Sequence, residues 1–155
     1  MFLRGNASVD AVRREFNPRQ AALIDSHVTL IREDEVSDWD ELAARIASYQ
    51  LRPVRIEFGR PERDGDMVLV RCIDSGPFDL LRESLLEAPR KHGAHVTLIH
   101  PRNGICSDAD FQIISSRIRP FAHTFDKIAF IEQSIGGRWE IFQRFQLADL
   151  PTDRF

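Results

Sequence analysis

The sequence predicts an α+β fold built from two similar strand–helix–hairpin units in one bilobal domain, and three observations carry that expectation. The pentapeptide His-Val-Thr-Leu-Ile occurs twice, at residues 27–31 and 95–99, a repeat that a chain this short has little chance of producing at random. Each copy is followed by apolar residues at helical spacing and then by two β-patterned segments around a glycine turn. The 155 residues are 43% apolar and 29% charged, with no low-complexity stretch or long linker, which suits one globular unit with two lobes. The expected domain spans residues 1–155, with pseudo-repeat halves at about 1–88 and 89–155.

The elements follow in order. Met1–Arg4 reads as a short edge strand before Gly5. Ser8 can cap a helix whose Val9, Val12 and Phe16 share a face, and Asn17-Pro18 ends it. Leu23–Ile31 reads as the first motif strand. Ser37, with Asp40 three residues on, opens a helix carrying Trp39, Leu42, Ala43, Ile46 and Tyr49. Val54, Ile56 and Phe58 alternate with Arg55 and Glu57 as in a half-buried strand. Asp64-Gly65 turns that strand back through Met67–Ile73. Ser75-Gly76-Pro77 opens a helix with Phe78, Leu81, Leu85 and Leu86 inward. In the second half, Ala94–His100 is the motif strand, and Ser107 with Asp110 forms a capping box for a helix bearing Phe111, Ile114 and Ile118. Pro120 ends that helix, and Phe125–Glu132 with Arg138–Leu147 form a hairpin around Gly136-Gly137.

Charge and composition exclude some partners. A net charge of −3 argues against charge-driven binding to duplex DNA or an anionic membrane, though it leaves room for a local basic pocket. There is no signal-peptide core and no long apolar run. Cys72 and Cys106 have neither metal-type spacing nor the number for a disulfide framework. A reducing, cytoplasmic setting and a monomer are expected.

Alternation along a strand puts His27, Thr29 and Ile31 on one face and Val28 and Leu30 on the other. The same holds for His95, Thr97 and Ile99 against Val96 and Leu98. Buried valine and leucine would anchor each strand while histidine and threonine stand side by side on the opposite face. Two imidazoles can serve as base and acid on opposite sides of a phosphorus. Two threonine hydroxyls can donate to its non-bridging oxygens. Such chemistry requires no metal and no other cofactor.

Two His-x-Thr-x motifs, His27-Val28-Thr29-Leu30 and His95-Val96-Thr97-Leu98, one per half and each on an expected strand, resemble the two-histidine phosphoesterase superfamily of 2′–5′ RNA ligases and 2′,3′-cyclic phosphodiesterases. The order of elements is similar over nearly the whole chain, although the first strand is shorter than the family's usual one. The resemblance implies antiparallel sheets lining a central cleft, helices outside, and metal-free hydrolysis of a cyclic or 2′–5′ phosphodiester. By position it implies His27 and His95 as the catalytic pair and Thr29 and Thr97 as phosphate binders.

Arg102, just past the second motif strand, is a further candidate phosphate contact, weighed evenly against a plain surface arginine. His92, His95 and His100 cluster in a zinc-like spacing, but it crosses Gly93 rather than lying on a helix, and no cysteine or carboxylate completes a set. Trp139, Phe142 and Phe145 on the last strand read mainly as core. The expected partner is an RNA end with a cyclic phosphate or a small cyclic nucleotide. The competing expectation is a module that binds such ends without turning them over. Ligation, the reverse reaction, is not distinguishable from hydrolysis at this level.

Overall fold

In the computed structural model, residues 1–148 are described, and the expected domain's last residues, 149–155, lie outside the described residues. Helices begin where a side chain can take up an orphan N–H. α1 (Ala7–Phe16) starts after Asn6, whose side chain accepts the Val9 N–H at 3.1 Å. Ser8, the expected cap, therefore falls inside the first turn. Asn17-Pro18 does end α1, but proline suits a first helical position, and a second short helix, α2 (Pro18–Leu23), starts there. That restart consumes the expected beginning of the first motif strand. Instead of Leu23–Ile31, only His27 and Val28 are bridged.

Farther on, α3 (Trp39–Ser48) is capped by Asp38, one residue past the expected Ser37. It buries Leu42 and Ile46 and leaves Trp39 and Tyr49 at its margins. α4 (Gly76–Leu85) follows Ser75 and buries Phe78, Leu81 and Leu85. α5 (Asp108–Arg117) carries the expected Ser107–Asp110 capping box.

The strands keep the expected alternation. β1 (Val54–Asp64) buries Val54, Ile56 and Phe58 and exposes Arg55 and Glu57. Gly65, at φ 58°, turns the chain into β2 (Met67–Cys72), a left-handed conformation that glycine adopts without steric cost. β3 (His95–Ile99) is the second motif strand. β4 (Phe121–Phe125), a strand the sequence did not predict, takes Phe125 out of the expected last hairpin and pairs antiparallel with Val54–Phe58 of β1. After Asp126 the chain enters β5 (Lys127–Gln133), which pairs with β6 (Trp139–Gln146).

One antiparallel sheet runs β3-β2-β1-β4 and curls into a half-barrel, and β5-β6 form a second sheet. Two bridges extend the first sheet past β3: Val28 pairs with Val96, and Phe2 pairs with His27. Of the expected Met1–Arg4 strand, only Phe2 is bridged. One apolar cluster joins α1, α4 and α5 to the large sheet, and Phe130 of β5 packs edge-on against Trp39 at 5.3 Å between centroids. Phe145 leans on that cluster while Phe142 is 61% exposed, so the last strand gives only one face to the core. Both cysteines are free thiols. Among the described residues, no helix is long and apolar enough to cross a membrane.

Candidate active site

The first motif lacks a regular strand, so its position comes from specific anchors. Arg13 of α1 is buried and donates to the Ile24 carbonyl at 2.8 Å. The buried Ser26 hydroxyl stands 2.7 Å from Asp10 Oδ1 and 3.1 Å from the Leu3 carbonyl, donating to one at a time. Backbone bonds from Leu3 N–H to Ser26 and from Val28 N–H to Met1, each 2.8 Å, tie the segment to the N-terminal residues. The second motif needs less, because β2 pairs along it from Ile99 to His95.

The Val28–Val96 antiparallel pair brings the two copies together. Both valines are fully buried. Residues next to such a pair fall opposite each other, with Cβ atoms about 4.5–5.5 Å apart. His27 therefore stands beside Thr97, and Thr29 beside His95, on the face opposite the valines. The result is a block of four side chains with the histidines on one diagonal and the threonines on the other. Thr29 is exposed and the other three are half-buried.

The histidines differ electrically. His27 Nδ1 lies 2.9 Å from the Asp25 carbonyl. A carbonyl only accepts, so Nδ1 carries the proton there and Nε2 holds the lone pair in the neutral ring. Burial lowers the His27 pKa to about 4; the Asp25 carbonyl opposes the shift, and the charges of Arg13 and His95 add to it. His95 is also lowered, first by burial, while the Gly93 carbonyl opposes and Arg71 and His92 contribute further lowering. Its Nδ1 is buried with no hydrogen-bond partner among the described residues.

Arg71 lies opposite His95 in the β2–β3 pairing and is held by Glu62 and Asp64. Sequence reading missed this residue because its neighbour is set by strand pairing 24 positions away in the chain, from Arg71 to His95. His92 was read only as part of a zinc-like spacing. Gly93, at φ 65°, turns the chain so that the His92 ring meets His95 edge-on at 6.4 Å and Phe78 at 5.8 Å. Both its ring nitrogens are buried without a partner among the described residues. Phe2, the third residue missed, presents its ring edge to His27 at 6.2 Å.

A buried ion pair braces the two motifs. Arg82 of α4 binds Glu35, donates to the Leu30 carbonyl at the end of the first motif, and reaches the Arg90 carbonyl at 2.8 Å before the second. Glu35 in turn accepts the backbone N–H groups of Arg32 and Arg90, each at 3.0 Å. Burial would raise the Glu35 pKa, but the hydrogen bonds from Arg82 and these N–H groups prevail and hold it down at about 2.

Arg102 sits beyond the far end of β3 in an exposed turn, with its N–H donated to His100 Nδ1 at 3.2 Å. Asn103 of this turn docks on Gln20 of α2 at 2.5 Å. Among the described residues, no hydrogen bond or ion pair joins the Arg102 side chain to the His–Thr block. Among the described residues, no three or more His, Cys, Asp or Glu side chains are grouped to hold a metal ion.

A family model described as the 2′–5′ RNA ligase superfamily matches residues 4–134, which include both motifs and every element from α1 through β5. The chain belongs to the 2′–5′ RNA ligase superfamily. None of the curated proteins compared matches it. The superfamily is one of phosphoesterases and ligases that act on RNA ends. Phe2 and β6 lie outside the matched stretch.

Proposed function

We propose that this superfamily member is a metal-independent phosphodiesterase that opens a 2′,3′-cyclic phosphate on an RNA end or nucleotide. The observation that carries this reading is the Val28–Val96 pairing, which sets two histidines and two threonines on one face. Thr29 and Thr97 donate to the non-bridging oxygens of the phosphate. His27, neutral with its Nε2 lone pair available, takes a proton from water as the water oxygen bonds to phosphorus. His95 gives a proton to the ribose oxygen as its bond to phosphorus breaks. The phosphate anion itself raises the His95 pKa toward the protonated state this role needs. Arg102 supplies a weaker, solvent-exposed contact on the Thr97 side of the strand. In 2′–5′ ligation an RNA 5′-hydroxyl takes the place of water: it gives its proton to His27 as its oxygen bonds to phosphorus, and the ribose 3′-oxygen takes a proton from His95 as its bond to phosphorus breaks.

The test is hydrolysis of a 2′,3′-cyclic mononucleotide and a cyclic-ended oligonucleotide, followed by chromatography, with and without chelator. Product formation unaffected by chelator supports the reading. Tight binding without product makes the protein a binding module instead, and activity restored only by a divalent ion removes the metal-free mechanism.

A further inference from the structure

Beside the His–Thr block lies a cavity of about 280 Å³ lined by Phe2 and Arg4 of the N-terminal segment and by residues of β4, β5 and β6. We infer that it is a subsite for a second nucleotide, holding the phosphate and base adjacent to the group at His27 and His95. The inference rests on the proposed reading for the identity of the first nucleotide.

Contiguity comes from Phe2, which lines the cavity, pairs with His27 and meets its ring edge-on. Charge comes from Arg4, Lys127 and Arg144, three cations against one lining carboxylate, Asp126. Lys127 lies 3.7 Å from Asp126, whereas Arg4 and Arg144 have no ion pair among the described residues. In a chain of net charge −3, this is a local positive site rather than a general basic surface.

The hairpin is built to present those charges together. Ala129 is paired with Arg144 across β5 and β6, and Lys127 is two residues from Ala129, so all three side chains share one face. The small Ala129 side chain leaves the space between the cations open. Phe2 and His123, also in the lining, offer half-buried rings, the kind of surface on which an unstacked base rests. A phosphate on the cations and a base on the rings together describe a nucleotide better than a free anion. The volume sits near the small end of ligand pockets, which run about 300–1,000 Å³. Phe2 and Arg144 both lie outside the stretch matched by the family model.

The test compares wild type with Arg144→Glu, Arg4→Glu and the conservative Arg144→Lys, using a cyclic-ended dinucleotide and a cyclic mononucleotide. The ratio of kcat/KM for dinucleotide over mononucleotide is expected to fall about tenfold or more with Arg144→Glu or Arg4→Glu and to recover with Arg144→Lys, a contrast expected of a charge-assisted phosphate contact. An unchanged ratio, or an equal fall on both substrates, overturns the subsite. Equilibrium binding of a fluorescent single-stranded RNA is measured alongside, with inorganic phosphate and an abasic RNA as competitors. Loss of one phosphate contact lowers the slope of log affinity against log salt by about 0.7. If no substrate is turned over, the proposed catalysis fails, yet the binding arm still decides: an Arg144→Glu protein that binds RNA with wild-type affinity and slope overturns the subsite by itself. Equal competition by abasic and intact RNA removes the base from the assignment.

Discussion

The same five residues occupy two different environments. In the first copy, His27 belongs to a segment bridged at two residues, its Nδ1 bound by the Asp25 carbonyl and its pKa held near about 4. In the second, His95 opens a regular strand beside Arg71, with Nδ1 buried and unpartnered among the described residues. The letters determine which side chains are present, and the surroundings determine how each ring is held: burial lowers the pKa of both, and the Asp25 carbonyl fixes the Nδ1 proton of His27 alone. In the proposed mechanism this difference lets a symmetric motif perform an asymmetric task, with His27 accepting a proton and His95 donating one once the anion is bound.

Removing either ring should have the largest effect. His27→Ala and His95→Ala are each expected to lower kcat by about 10²–10⁴, the usual contribution of a general acid or base, with little loss of structure by circular dichroism. Full activity in either variant breaks the proposed division of labour. The pH–rate profile sharpens it. Its acidic limb should lie well below the ordinary histidine range, since His27 stays neutral down to about pH 4, although the limbs report the coupled pair. His27 also carries a stability signature. Its pKa is about 4 when folded against 6.5 for an ordinary histidine, so the unfolded chain binds more protons between these values. Stability should fall as pH drops through that window, and His27→Ala should flatten the fall in thermal unfolding.

The brace between the copies comes next. Arg82→Met leaves Glu35 buried without its partner and is expected to cost about 3–5 kcal/mol in denaturant unfolding. Glu35 titrates in the opposite sense to a raised group: its pKa is depressed from 4.5 to about 2, so its contribution is present above 4.5 and lost as pH falls toward 2. Arg82→Met combined with Glu35→Leu should recover part of the loss. No recovery would mean that the two N–H bonds to Glu35, rather than the charge pair, hold the motifs together.

Much of this fold is legible locally. The Ser107–Asp110 box, the Val54–Phe58 alternation and the Asp64-Gly65 turn each depend on residues within one or two turns of chain, and each appears as read. The errors share another cause. Asn17-Pro18 is a stop signal that also serves as a start, because proline needs no N–H at a first helical position. Phe125 looks like the start of the last hairpin until β1 supplies a partner for the whole of Phe121–Phe125, with His123 facing Ile56, 67 residues earlier. Within the site, the four motif residues were visible as a pattern, but Arg71, His92 and Phe2 reach it only through long-range pairing or the turn at Gly93.

The hydroxyls should rank below the rings. Thr29→Val and Thr97→Val each remove a hydrogen bond to a charged group, worth about 1.5–3 kcal/mol, and kcat/KM should fall accordingly. The exposed Thr29 and the half-buried Thr97, whose Oγ1 rests 3.7 Å from Met67 Sδ, allow a direct comparison of the two copies: equal losses would mean that substrate binding evens out their surroundings.

Arg102→Ala should have the smallest effect. Its guanidinium is solvent-exposed and its backbone is fixed to His100 at the far end of β3 from His95. Solvent screening limits an exposed charge contact to about 0.2–1 kcal/mol, so kcat/KM should drop by no more than about fivefold, and the drop should vanish at high salt. A larger, salt-resistant loss would place the reacting phosphate toward the Thr97 end of the strand and shift the centre of the site away from the His27–His95 diagonal.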